Sequence, residues 1–73
     1  MKEQITFHLR EGEDYIPLTG LLKTTNLVFS GSEAQQAVVA GRVLRNGEIE
    51  FRKRAKIRTG ETIEFENTII NII

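Results

Sequence analysis

With 73 residues the chain lies near the lower size limit for a domain that folds without staples. The absence of cysteine excludes disulfides and thiolate-bound zinc as supplements to a small core. Ten basic and ten acidic residues cancel to a formal net charge of zero, which argues against the overall basic excess usual in nucleic-acid binders.

The neutral average hides a segregation along the chain. Residues 42–58 hold seven basic side chains, Arg42, Arg45, Arg52, Lys53, Arg54, Lys56 and Arg58, against only Glu48 and Glu50. Residues 1–41 carry three basic and five acidic side chains, and the tail after Arg58 carries three acidic and no basic ones. A phosphate backbone responds to the local field rather than to the mean. The alternative is a solvated face neutralised by acids folded beside it. No apolar run approaches the roughly 20 residues that span a bilayer, and the alternating start Met1 to Thr6 lacks the apolar stretch of a signal peptide. One soluble, cytoplasmic domain over residues 1–73 is the expectation.

In chain order, Glu3 to Leu9 sets Ile5, Phe7 and Leu9 against Gln4, Thr6 and His8, the period of two of a half-buried strand with His8 on its polar side. After a polar loop around Gly12, Pro17 suits the first turn of a helix. Leu18, Leu21 and Leu22 share one helical face, predicting a helix from about Pro17 to Thr25 with Lys23 on its polar side. Gly20 costs about 1 kcal/mol inside that helix, which predicts a close backbone approach. Leu27, Val28 and Phe29 are expected in the core or as a hydrophobic staple. Ser30 with Glu33 forms a capping box, and Ala34, Ala37 and Val38 form the inward face of a second helix that Gly41 ends.

Asn46-Gly47 is a type I′ hairpin signal. Its arms, Arg42 to Arg45 and Glu48 to Phe51, are expected to bury Val43, Ile49 and Phe51. The basic run follows, with Ala55 and Ile57 alternating through it. A turn at Thr59 to Glu61 leads to a strand that turns Ile63 and Phe65 inward. A second turn at Asn67-Thr68 leads to an apolar closing strand, Ile69 to Ile73.

Catalysis finds little support in this composition. The lone histidine has no partner base, Ser30 and Ser32 serve as helix caps, and the glycines fit turns, caps or packing rather than a phosphate-binding fingerprint. The acid pairs Glu48/Glu50 and Glu64/Glu66 read as ordinary exposed strand residues. The chain is therefore expected to be no enzyme, to need no cofactor or metal, and to take no small-molecule substrate. Arg and Lys at this density fit a polyanion, recognised by backbone and shape more than by base stacking. Tyr15 is the one aromatic expected at the surface, and the amides of Gly31 to Glu33 offer a further phosphate contact only if the capping box turns the Glu33 carboxylate aside.

The order of a leucine helix, Ser30-Gly31-Ser32-Glu33-Ala34, Gly41-Arg42-Val43, Asn46-Gly47 and Lys56…Gly60-Glu61-Thr62-Ile63 resembles the small RNA-binding domain of the ribosomal-protein S-four type, or alpha-L motif. It is most similar to the stand-alone bacterial members. The resemblance implies an α+β alpha-L fold: two short packed helices, then a small, mainly antiparallel β-sheet, with an added N-terminal strand. It also implies structured RNA, ribosomal or transfer RNA, as the partner, with a role in ribosome assembly or translation and a ribosomal or RNA-processing protein alongside. Three positions that are basic in larger members are Pro17, Gly31 and Gln35 here. That shifts the expected RNA site to Arg42, Arg45, Arg52, Lys53, Arg54, Lys56 and Arg58, with Lys23 on the first helix. The competing reading is a protein-interaction module that offers the basic surface and the Ile69 to Ile73 edge to an acidic partner. A ubiquitin-like sulfur carrier is set aside, because the chain ends Asn71-Ile72-Ile73 without two glycines.

Overall fold

The computed structural model describes residues 2–73. In order the elements are β1 (Glu3–Phe7), β2 (Ile16–Pro17), α1 (Leu18–Thr24), α2 (Gly31–Val39), β3 (Val43–Arg45), β4 (Glu48–Ile49), β5 (Lys56–Ile57), β6 (Thr62–Phe65) and β7 (Thr68–Ile72). A five-stranded sheet runs β1-β7-β6-β3-β4, and β2 pairs with β5 in a separate two-stranded ribbon. Only β1 against β7 is parallel; the other pairings are antiparallel. This is the α+β alpha-L architecture with its added N-terminal strand.

The leucine spacing of α1 and the small residues of α2 make one core with the sheet. Leu18, Leu21, Leu22, Ala34, Ala37 and Val38 are buried against Val43, Ile63, Phe65, Ile70 and Ile72. Neither helix is long enough to stand alone in water, so this shared burial holds both. Their ends are locally specified as well. At each C-terminus the two amides after the cap return to the last turn, from Asn26 to Lys23 and Leu27 to Leu22 in α1, and from Gly41 to Val38 and Arg42 to Ala37 in α2. The motif needs a left-handed residue, supplied by Gly41 at φ 76° and, in α1, by Asn26 at φ 61°. The side chain of Asn26 makes that conformation accessible where the sequence pattern showed only a connection.

Several expectations change. A Cβ on Gly20 would meet only Ile16 Cγ1 and Pro17 Cδ, both at 3.9 Å, so no close backbone approach requires that glycine. Val28 is buried and Leu27 half-buried, but Phe29 is 96% exposed. The cap is shifted by one residue on one side: Ser30 Oγ accepts from the Glu33 amide at 3.1 Å, while Glu33 Oε1 accepts from Phe29 N–H at 2.6 Å instead of from Ser30. The last turn centres on Glu66 and Asn67, with Glu66 at φ 55°, and Thr68 already belongs to β7. Most consequentially, β7 lies between β1 and β6. Its apolar run is therefore an interior strand, as near-continuous hydrophobicity favours, and the edge-pairing form of the protein-interaction reading loses its edge.

The Asn46-Gly47 turn forms as expected, both residues at positive φ, and it sets the register Arg45↔Glu48 and Leu44↔Ile49. That register carries Glu50 opposite Val43, to whose carbonyl its amide donates at 3.0 Å. Glu50 is therefore buried, whereas Ile49 and Phe51 are 51% and 61% exposed, the reverse of the expected alternation. A shift of one residue in a strand exchanges its faces.

Candidate nucleic-acid interface

The basic run is mounted on the fold by its backbone, which leaves its charged side chains outside. Ala55 and Ile57 are buried, and Ile57 and Lys56 pair with Ile16 and Pro17. The first amides of α1, unsatisfied within the helix, donate to the run: Leu18 N–H to the Ala55 carbonyl at 2.9 Å and Thr19 N–H to that of Lys53 at 3.3 Å. Arg45 Nη2 donates to the Lys56 carbonyl at 2.9 Å. The stretch from Arg52 to Arg58 is thus fixed from both sides, by α1 and by the hairpin.

The hairpin side of that mounting is an ionic network. Arg45 Nε and Nη2 donate to the two oxygens of Glu61 at 2.7 and 3.1 Å, and Nη1 donates to Glu50 at 3.1 Å. Glu50 also accepts from the Arg52 guanidinium, at 3.2 Å to each oxygen, and from the Arg52 amide at 3.1 Å. Glu61 accepts further from Arg58 N–H at 2.7 Å and Asn46 Nδ2 at 3.2 Å. Asn46 in turn accepts from the Thr62 amide at 2.9 Å. The fork of one guanidinium against two carboxylates is the geometry in which arginine outperforms lysine.

These bonds hold both acids ionised. Hydrogen bonds from Arg52 chiefly, with Arg45 assisting against the burial of the group, bring the Glu50 carboxyl down to about 2 from the ordinary 4.5. Arg45 chiefly lowers that of Glu61. A carboxyl depressed in the folded state stabilises above its unfolded pKa and loses that contribution as pH falls through the folded value. Acid should therefore destabilise the protein progressively from about pH 4.5 toward 2. Because Arg52 remains 75% exposed, solvent screening reduces the Glu50 share to about 2 kcal/mol. Urea unfolding at pH 6 and pH 3 checks this: Glu50→Gln should flatten the difference, and an unchanged acid dependence would refute the assignment.

The seven arginines and lysines of residues 42–58 therefore divide. Arg45 and Arg52 are held by Glu50 and Glu61, and Arg42 pairs with Glu66 while lying 5.3 Å over the Phe65 ring. Lys53, Arg54, Lys56 and Arg58 are exposed and have no ion-pair partner among the described residues. Lys23 is exposed in the last turn of α1, at the opposite end from the basic run. Neutralisation by neighbouring acids and an outward basic surface are thus both present, on different residues. Sequence reasoning missed Glu50 and Glu61 as organisers, because the hairpin register that turns Glu50 inward and the fold that brings Arg45 to both acids join residues up to 16 apart in sequence.

Three open hollows follow the basic run. One of about 480 Å³ is lined by Arg45, Arg52, Arg54, Ala55, Lys56 and Arg58. A second of about 440 Å³ shares Arg54 and Lys56 and reaches Tyr15 and Gly20. A third of about 430 Å³ joins Lys53 to the outer face of α2 at Ser32, Gln35, Gln36 and Val39. The first two hollows meet at Arg54 and Lys56, and the Tyr15 ring centre lies 5.1 Å from Lys56 Nζ and 5.9 Å from the Arg58 guanidinium. No helix among the described residues is long and apolar enough to cross a membrane.

Comparison with known proteins agrees with this geometry. Residues 7–73 match the family model of the S4 domain. YbcJ of Escherichia coli (strain K12) is 34% identical over 59 residues, 81% of this chain and 84% of that protein, and YbcJ of Shigella flexneri matches equally. The solution structure of Escherichia coli YbcJ, described as revealing an alpha-L motif involved in RNA binding, superposes with a TM-score of 0.74 at 33% identity. The superposition covers 100% of this chain and 91% of that one. With residues 7–73 matched and the helix pair and sheet of that fold present, the chain belongs to the S4 domain family.

Proposed function

We propose that the protein is a non-catalytic RNA-binding module, gripping structured RNA through the outward side chains of the basic run. The observation that carries this reading is the mounting of the run: Lys53, Arg54, Lys56 and Arg58 project from a backbone fixed by α1 and Arg45. Cations held in place lose little conformational entropy when phosphates arrive. Membership of the S4 domain family and the RNA-binding motif ascribed to YbcJ support it. Ribosomal or transfer RNA is the partner class we favour, in ribosome assembly or translation. Helical RNA presents phosphates and 2′-hydroxyls across a shallow groove that a rigid basic loop and the polar outer face of α2 can meet together.

Binding of a structured RNA stem should be strongly salt-dependent, since each neutralised phosphate releases counterions. A plot of log affinity against log salt concentration is expected to have a slope of about −3 to −4, one unit for each of the four outward cations. Electrophoretic or fluorescence titration between low and physiological salt measures it. No binding at low salt would end the RNA reading.

A further inference from the structure

We propose that the RNA site includes one unpaired nucleotide, whose base stacks on Tyr15 while its flanking phosphates meet Arg54, Lys56 and Arg58. This rests on the RNA reading above and adds to it a specific structural feature of the ligand. Tyr15 keeps 38% of its surface exposed although two cations lie within 6 Å of its ring centre. It borders the hollow of about 440 Å³ whose other walls are Pro17, Thr19, Gly20, Arg54 and Lys56. That volume lies in the roughly 300–1,000 Å³ range of small-ligand clefts.

Gly20 supplies the second, independent observation. A glycine inside a helix is disfavoured, and here no tight packing demands it, because a Cβ would make only ordinary contacts, with Ile16 Cγ1 and Pro17 Cδ at 3.9 Å. What the missing side chain does leave is an open floor to the hollow beside Tyr15. An aromatic ring next to an unfilled floor, with Arg54 and Lys56 at the rim and Arg58 beside the ring, is the chemistry that takes a splayed-out base between phosphates. A fully paired stem has no base to offer the ring and engages only the cations.

The test compares three ligands: a fully paired RNA stem, the same stem with one unpaired nucleotide, and a free nucleoside monophosphate. The protein is expected to bind the bulged stem roughly tenfold more tightly than the paired one, and the free nucleotide far more weakly than either. Tyr15→Ala should abolish the preference; Tyr15→Phe should retain it. Gly20→Leu, which fills the floor of the hollow, should also abolish it. Because Tyr15 is the only tyrosine, its ring NMR signals should shift with the bulged stem and stay in place with the paired one. Equal affinity for both stems, a preference that survives Tyr15→Ala, or a free nucleotide binding as tightly as the bulged stem would each overturn the proposal while leaving the RNA reading intact. Failure to bind any stem would overturn both.

Discussion

Replacing Lys53, Arg54 and Lys56 together by glutamate is expected to weaken binding of a structured RNA at low salt by about 100-fold or more, and to flatten its salt dependence by about three units of slope. The three side chains are exposed and have no acidic partner among the described residues, so their reversal removes outward cations without dismantling an ion pair. Surface substitutions of this kind usually change stability by less than about 0.5 kcal/mol each, so circular dichroism and a thermal melt should show a folded protein. Arg52→Glu is a poor substitute, because it places a carboxylate against Glu50, which Arg52 now holds at 3.2 Å. Lys23→Glu, at the far end of α1, is expected to change affinity by less than about twofold, and a large effect there would relocate the site. A triple reversal that binds as tightly as the native protein would refute the basic run as the RNA surface.

Arg45→Ala is expected to destabilise the protein by about 2–4 kcal/mol, because it removes the guanidinium partner of the largely buried Glu61, leaves Glu50 to Arg52 alone and frees the Lys56 carbonyl. The side chains of Arg45, Glu50 and Glu61 are only 21%, 11% and 18% exposed, so water compensates little. For a domain of this length total stability is on the order of 4–11 kcal/mol, and the melting temperature should fall by roughly 10–25 °C. Urea denaturation gives the free energy directly. Arg45→Lys should recover only part of it, since an ammonium cannot serve Glu61 with two nitrogens while reaching Glu50. If Arg45→Ala melts like the native protein, the ionic network does not hold the basic run in place. At temperatures where the variant stays folded, its RNA affinity should also fall, because the run has lost its hairpin anchor while keeping the one on α1.

These two expected results separate roles that the sequence presents as one. Arg45 and Arg52 share a charge-dense stretch with Lys53, Arg54, Lys56 and Arg58, but in the structure they are fasteners held by carboxylates. A count of basic residues treats all six alike, and only the location of the acids tells a fastener from an outward, unpaired cation.

Short-range physics accounts for what was legible in the chain alone. The period-two alternation of Ile5 and Phe7, the leucine spacing of α1, the Ser30 cap, the Gly41 stop and the Asn46-Gly47 turn each act within a few residues, and each is found where expected. The order of these signals also sufficed for the family resemblance. Contacts between distant residues settled the rest. The hairpin register turned Glu50 inward and Ile49 and Phe51 outward. Pairing with β1 made β7 an interior strand. Contacts 11 and 16 residues apart in sequence, from Arg45 to Lys56 and to Glu61, chose which cations are committed to the fold. Charge along a chain is additive and legible, but which charges neutralise one another depends on distances that only the folded backbone sets.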